Sequence, residues 1–247
     1  MKHAIVTGAG TGIGAATARR LAQSGWSLTL VGRRRDKLEE VAASLEGGVG
    51  RRLILAEDLA DPAAPQRIVE EALAKFGRID GLVNNAATIK VMPIEDYPLD
   101  VIDFHWVVNI RAPYLLIQKA LPALREQKGA IVNISSSSGT ILRPGQSLYG
   151  MTKAALEYLT RSLAGELAPA RVRVNALALG PVDTPIHETW ATNLAEAYEW
   201  LAGQVPLGRI GEADEVARWI ELLISPDSAW MTGACIPFDG GQTLDIS

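Results

Sequence analysis

Seven short runs of β-branched and aliphatic residues, each followed by a longer stretch of helical period, constrain this chain more than any other feature. They are HAIVT (3 to 7), SLTLV (27 to 31), RLILA (52 to 56), GLVNN (81 to 85), AIVNIS (130 to 135), VRVNALA (172 to 178) and ACIPF (234 to 238). Strands that alternate with helices predict βαβ units and a parallel sheet covered on both faces. Right-handed crossovers then give an α/β, doubly wound, Rossmann-like fold with a mostly parallel seven-stranded sheet. No internal repeat, low-complexity tract or long Pro/Gly/Ser linker divides the 247 residues, so one domain over 1–247 is expected. A chain of this length buries roughly 70 to 75% of its unfolded surface and needs no staples.

Composition narrows the partners. The 48% hydrophobic and 21% charged residues exclude disorder. Net charge is -4 with both signs interspersed, so no broad cationic face for nucleic acid or anionic lipid is predicted. No apolar run approaches the roughly 18 residues of a membrane helix. Glycines and then Arg19 and Arg20 interrupt the start before a signal-peptide core can form, and a cytoplasmic location is expected. Cys235 is the single cysteine, and His3, His105 and His187 stand apart, so no disulfide and no metal site is visible. Residues 185–211 break the strand-helix rhythm with several aromatics and two prolines. Long excursions beyond strand ends carry binding loops, and substrate contacts are expected there, although a surface helix pair packing on the core would give the same pattern.

After the first strand comes TGAGTGIG, residues 7 to 14, with glycines at 8, 10, 12 and 14 ahead of an amphipathic helix that Gly25 can end. The spacing fits T-G-x-x-x-G-x-G rather than G-x-G-x-x-G. Residues without a Cβ let the backbone turn tightly and let a pyrophosphate approach the N–H groups at the helix start. Gly8, Thr11, Gly12, Ile13 and Gly14 are therefore expected to hold a dinucleotide. The second strand ends at Val31, followed by Gly32, Arg33, Arg34 and Arg35. An acidic residue beyond the glycines would bond a ribose 2′-hydroxyl, whereas arginine attracts a 2′-phosphate. The acid is missing and Arg33 stands just past its place, so NADP(H) is preferred over NAD(H), without excluding NAD(H). Arg34 and Arg35 also suit the solvated start of a helix.

In LYGMTKA (148 to 154), Tyr149 and Lys153 stand four apart and share a helix face. A phenol is a poor acid-base group at neutral pH, but a neighbouring ammonium is expected to bring its pKa toward the working range. The pair alone also suits packing plus a solvated charge. Upstream, AIVNISSSSG runs a buried strand into Ser135, Ser136, Ser137 and Ser138 at the carboxyl end of the sheet, where ligands of such folds bind. A serine there can hold a substrate oxygen beside the phenol, or the run can be an ordinary turn.

The chain resembles the short-chain dehydrogenase/reductase family, of the short single-domain type that includes 3-oxoacyl-carrier-protein reductases. The likeness rests on TGAGTGIG, Asp58 with Leu59, NNAA at 84 to 87, Asn109, the serine run, YGMTK at 149 to 153 and NALALGPVDT at 175 to 184. It implies that Asp58 accepts from the adenine amino group, with Leu59 supplying a backbone contact. Asn84 would steady the sheet, and Asn85 and Ala86 would approach the adenosine ribose. Ala87 replaces the usual glycine, at a cost of about 1 kcal/mol if that position needs positive φ. Leu179 replaces a usual proline, while Val182 and Thr184 match positions that meet the nicotinamide carboxamide.

Family spacing selects Ser136, thirteen before the tyrosine, with Ser135 and Ser138 as alternatives. Asn109 would hold a water that links the lysine to solvent. The resemblance implies hydride transfer between a nicotinamide and a small-molecule carbonyl or alcohol, with Tyr149 as general acid/base. It also implies a homotetramer or homodimer, for which Ala154, Ala155, Leu159 and Leu163 offer a close-packing face that burial within one chain would explain equally.

Overall fold

The computed structural model describes residues 1–46 and 48–244. In chain order the elements are β1 (His3–Thr7), α1 (Gly12–Gln23), β2 (Ser27–Gly32), α2 (Arg35–Ser44), β3 (Arg52–Ala56), α3 (Ala64–Phe76), β4 (Gly81–Asn84), α4 (Leu99–Trp106), α5 (Ala112–Gln127), β5 (Ala130–Ser136), α6 (Ser147–Leu167), β6 (Arg173–Leu179), α7 (Leu194–Gly203), α8 (Ala213–Ile224) and β7 (Cys235–Phe238). The seven strands form one sheet in the order β3-β2-β1-β4-β5-β6-β7. Every neighbouring pair is parallel, so the sheet is fully rather than mostly parallel. The strand order reverses between β1 and β4, and folds of this kind bind ligands beyond the carboxyl ends of the strands at that point.

Alternation along the strands divides the core between the two faces. Ala4 and Val6 of β1 pack with Leu21 of α1 and Ile220 of α8, whereas Ile5 between them packs with Ile68 of α3 and Leu116 of α5. Burying each of the larger of these side chains contributes about 1.5–3 kcal/mol. Both faces being covered explains why the strands read as continuous apolar runs.

The start of β1 is fastened by His3, which is wholly buried. Its ring bonds the Arg78 carbonyl through Nδ1 at 2.7 Å and Thr29 Oγ1 through Nε2 at 2.9 Å, and stacks on Phe76. Burial pushes its pKa down to about 4 against the opposing pull of the Arg78 carbonyl.

The excursion over 185–211 is a 3₁₀ turn (Pro185–Thr189) followed by α7. Its two ends are stitched together, because Asp183 N donates to Gly211 O at 2.9 Å and Gly211 N to Pro181 O at 2.9 Å. It leaves β6 and returns beside it, so it sits at the carboxyl edge of the sheet. Among the described residues no helix is long and apolar enough to cross a membrane.

Candidate active site

The turn after β1 is built on backbone that side chains would obstruct. Gly8 has φ +64° and Gly12 φ +51°. A Cβ on Gly14 would lie 2.2 Å from the Gly8 carbonyl oxygen and 2.8 Å from Asn85 Nδ2, so α1 starts in contact with the turn that precedes it. Thr7 Oγ1 accepts from Asn85 N at 2.9 Å and Ala86 N at 3.0 Å, while Asn85 Nδ2 donates to Thr7 O at 2.9 Å. These bonds lock the end of β4 to the end of β1. Asn84 Nδ2 donates to Asn133 Oδ1, and Asn133 Nδ2 to Thr160 Oγ1, each at 2.9 Å, tying β4 to β5 and α6. Ala87 does not have positive φ; among the described non-glycine residues only Lys128 and Arg171 do, so the anticipated strain is not incurred.

A cavity of about 440 Å³ runs along this edge of the sheet. Gly8, Thr11, Gly12 and Ile13 line it, as do Arg33, Asp58 and Leu59 beyond β2 and β3, and Asn85 and Ala86 beyond β4. Ser136, Tyr149, Lys153, Val182 and Thr184 continue the same wall. Gly14 and Asn109 stand behind it. The turn after β6 closes against the glycine turn, since a Cβ on Gly12 would lie 3.1 Å from Thr184 Cγ2. At the β2 end Arg34 and Lys37 join Arg33 in the wall, whereas Arg35 points to Glu39, 3.8 Å away. Asp58 Oδ1 accepts from Ala60 N at 2.9 Å, which leaves its other oxygen without a partner among the described residues. An extended, glycine-floored cleft with cations at one end fits a dinucleotide.

The four serines differ in what their hydroxyls do. Ser135 donates to Glu157 Oε1, Ser137 to Gln242 Oε1 and Ser138 to Gln146 Oε1, each at 2.8 Å. Ser136 Oγ accepts from Ser138 N at 3.2 Å and its hydroxyl is directed at the Tyr149 phenol, so among the described residues it is the serine of the run that faces the reactive pair. The serine at the expected register is thus the one beside the phenol, and Ser135 and Ser138 are engaged elsewhere.

Tyr149 and Lys153 lie in the first turns of α6 and are 8% and 2% exposed. Lys153 Nζ donates to Ile134 O at 2.8 Å and lies 5.4 Å from the centroid of the Tyr149 ring. Burial pushes the phenol up to about 12, opposed by the Ser136 hydroxyl, and pushes Lys153 down to about 8, opposed by the Glu157 carboxylate. Proximity to an ammonium was expected to lower the phenol's pKa; in the protein alone desolvation outweighs it and the direction is upward.

Asn109 occupies a π-helical turn (Val107–Arg111) between α4 and α5. Its Oδ1 accepts from Thr88 N at 2.9 Å, and its Nδ2 donates to Thr88 O at 3.0 Å and Thr152 Oγ1 at 3.1 Å. It braces the α6 helix from behind the reactive pair.

Comparison with known proteins decides the family. The profile of the enoyl-(acyl carrier protein) reductase family matches residues 8–243. The chain is 35% identical to a 3-oxoacyl-[acyl-carrier-protein] reductase of Thermotoga maritima, over 98% of each chain. It is also 35% identical to a glucose 1-dehydrogenase of Gluconobacter oxydans, over 98% of this chain and 92% of the relative. The crystal structure of a 3-ketoacyl-(acyl-carrier-protein) reductase from Brucella melitensis, complexed with NADH, superposes with a TM-score of 0.91 at 32% identity, covering 98% of both chains. A short-chain type dehydrogenase/reductase from Mycobacterium marinum superposes equally well, with a TM-score of 0.91 at 33% identity, covering 98% of this chain and 96% of that one. The chain belongs to the short-chain dehydrogenase/reductase family. It is an oxidoreductase that acts on a carbonyl or alcohol with a nicotinamide cofactor.

This short-chain dehydrogenase/reductase also brings residues to the cavity that sequence reasoning missed. Arg143 and Gln146 come from the loop before α6, His187 from the excursion, and Gln242 from the turn after β7. Of the three aromatics in the excursion, Trp190 lines the cavity. Tyr198 instead donates to Asp183 Oδ1 at 2.7 Å and stands edge-on to His187, and Trp200 is exposed. Gln242 had no local signal, since it reaches the site only because β7 ends beside β6. His187 lay inside the segment already expected to meet substrate.

Proposed function

We propose that the protein is an NADP(H)-preferring reductase or dehydrogenase of a small carbonyl or alcohol, with Tyr149 as the proton donor and acceptor. One observation carries this reading. The serine of the run whose hydroxyl faces the phenol, the Tyr149/Lys153 pair and the glycine turn all open into one cavity. A bound nicotinamide supplies the hydride chemistry. Gly8 and Thr11 to Ile13 would hold its pyrophosphate, Asp58, Leu59, Asn85 and Ala86 its adenosine, and Val182 and Thr184 its carboxamide. Ser136 holds the substrate oxygen and Tyr149 protonates it in reduction. Lys153 would hold the nicotinamide ribose, and Asn109 would maintain the proton path behind it. Residues 185–211 cover the substrate.

Support for NADP(H) is electrostatic: Arg33, Arg34 and Lys37 stand at the β2 end of the cleft, with no carboxylate on β2 itself. Use of NAD(H) is the second reading, favoured by the NADH complex of the Brucella relative. Fluorescence titration with both reduced cofactors separates them. Tighter binding of NADPH, abolished in Arg33→Ala, supports the first; equal or tighter NADH binding overturns it. A panel of ketones, sugars and acyl thioesters followed at the NADPH absorbance band tests the activity, which fails if no member is turned over.

A cytoplasmic homotetramer or homodimer completes the proposal. Met151, Ala154 and Tyr158 are exposed along α6, with Ala155, Leu159 and Leu163 half-buried beside them. Sedimentation at micromolar protein tests it, and a monomer would refute it.

A further inference from the structure

The serine run holds two amide side chains by their oxygens. Ser137 Oγ donates to Gln242 Oε1 and Ser138 Oγ to Gln146 Oε1, both at 2.8 Å. Each amide therefore turns its NH₂ end away from the serines. Among the described residues Gln242 Nε2 is buried with no acceptor and Gln146 Nε2 bonds nothing. A buried donor without an acceptor costs about 1–3 kcal/mol, so Gln242 Nε2 calls for a ligand oxygen, and Gln146, also in the cavity wall, adds a second amide donor.

Arg143 stands three residues before Gln146, joined to it by the Gln146 N to Arg143 O bond of 3.1 Å. Its side chain is half-buried in the cavity wall and makes no ion pair or hydrogen bond among the described residues. Burial holds its pKa below the usual guanidinium range, and no carboxylate offsets this. Apart from Lys153, the other charged residues of the cavity wall, Arg33, Arg34, Lys37, Glu57 and Asp58, belong to the opposite, β2 and β3 end. The cavity wall also carries the apolar side chains of Phe104, Ile186, Trp190 and Leu201.

Resting on the oxidoreductase reading, we infer that the substrate carries a carboxylate, bound by Arg143 with Gln146 and Gln242 while its carbonyl or alcohol meets Ser136 and Tyr149. One guanidinium neutralises a monoanion, and its planar fork matches a carboxylate bidentately. The apolar wall suits a short hydrocarbon between the two polar ends. A phosphate dianion would find only one cation here, since Lys153 is turned to Ile134 O.

The test uses matched short-chain 2-oxo and 3-oxo acids, their methyl esters, and phosphorylated ketones, assayed with the wild-type holoenzyme and with Arg143→Met. The acids are expected to exceed their esters in kcat/KM by roughly 10- to 100-fold, the scale of a charge-assisted hydrogen bond. Arg143→Met is expected to erase that advantage while ester turnover and cofactor binding stay unchanged. Esters turned over as well as acids, phosphorylated ketones preferred to acids, or an unchanged acid-to-ester ratio in the variant would each overturn the inference while leaving the enzyme reading intact. Binding supplies the separate readout. Butanoate, and not butanamide, is expected to raise the melting temperature of the protein–cofactor complex, and Arg143→Met to remove the rise. If nothing is turned over, the enzyme reading falls and this shift alone decides: its absence overturns the carboxylate site.

Discussion

Lys153 Nζ lies 5.4 Å from the centroid of the Tyr149 ring, with its hydrogen bond given to the Ile134 carbonyl rather than to the phenol. Both groups are buried and both are driven toward their neutral forms, Tyr149 up to about 12 and Lys153 down to about 8. Tyr149 therefore carries its proton throughout the neutral range and is poised to give it. The lysine's charge is present below about pH 8 and lost above. Reduction is expected to be level near neutrality and to fall as pH rises through about 8. Glu157 raises the lysine's pKa, so Glu157→Gln should move that alkaline limb to lower pH. A pH profile of kcat/KM checks both, and a limb that does not move would count against the assignment.

Removing the phenol oxygen tests the acid directly. Tyr149→Phe keeps the buried ring and its packing, so the fold and the cofactor affinity should survive. Turnover should fall by roughly 10² to 10⁴, the contribution of a positioned general acid. Steady-state rates beside NADPH titration separate the two effects, and near wild-type turnover would refute the role.

The glycine turn is equally exposed to test. In Gly14→Ala the new methyl would meet the Gly8 carbonyl oxygen at 2.2 Å, and that atom is backbone. The helix start must shift, and overpacking of this kind costs about 1–3 kcal/mol. A melting temperature lowered by roughly 2 to 10 °C is expected, together with weakened dinucleotide binding. Calorimetry and the cofactor titration check this; unchanged values in both would mean that the turn is not the cradle.

Much of this was legible in the sequence because parallel strands buried on both faces cannot alternate, and so appear as short unbroken apolar runs. All seven were placed within a residue or two, RLILA coinciding with β3 and HAIVT with β1. The glycine spacing likewise reflects backbone constraints that local sequence records. What sequence could not supply was burial and long-range partnering. The direction of the Tyr149 shift depends on how completely α6 is covered. That Ser135, Ser137 and Ser138 are engaged elsewhere while Ser136 faces Tyr149 depends on Glu157, Gln242 and Gln146. Of these, Gln242 lies 105 residues along the chain from Ser137.

His3 makes the stability of the fold depend on acid. In the folded chain it takes a proton only near pH 4, because burial between Thr29, Phe76 and the Arg78 carbonyl disfavours the charge. In the unfolded chain it titrates near its ordinary value of 6.5. Between these values the unfolded chain binds more protons, so stability rises with pH across that window. The contribution is complete above about 6.5 and is lost as pH falls to 4, amounting to about 3 kcal/mol. His105 and His187 are shifted in the same direction by burial and add to the slope. His3→Gln cannot take the proton, so its urea-unfolding free energy should fall less steeply between pH 6.5 and 4 than that of the wild type. It should also be lower at pH 7 through the lost stack on Phe76. An identical slope in the two proteins would show that His3 is solvated, contrary to its burial at the start of β1.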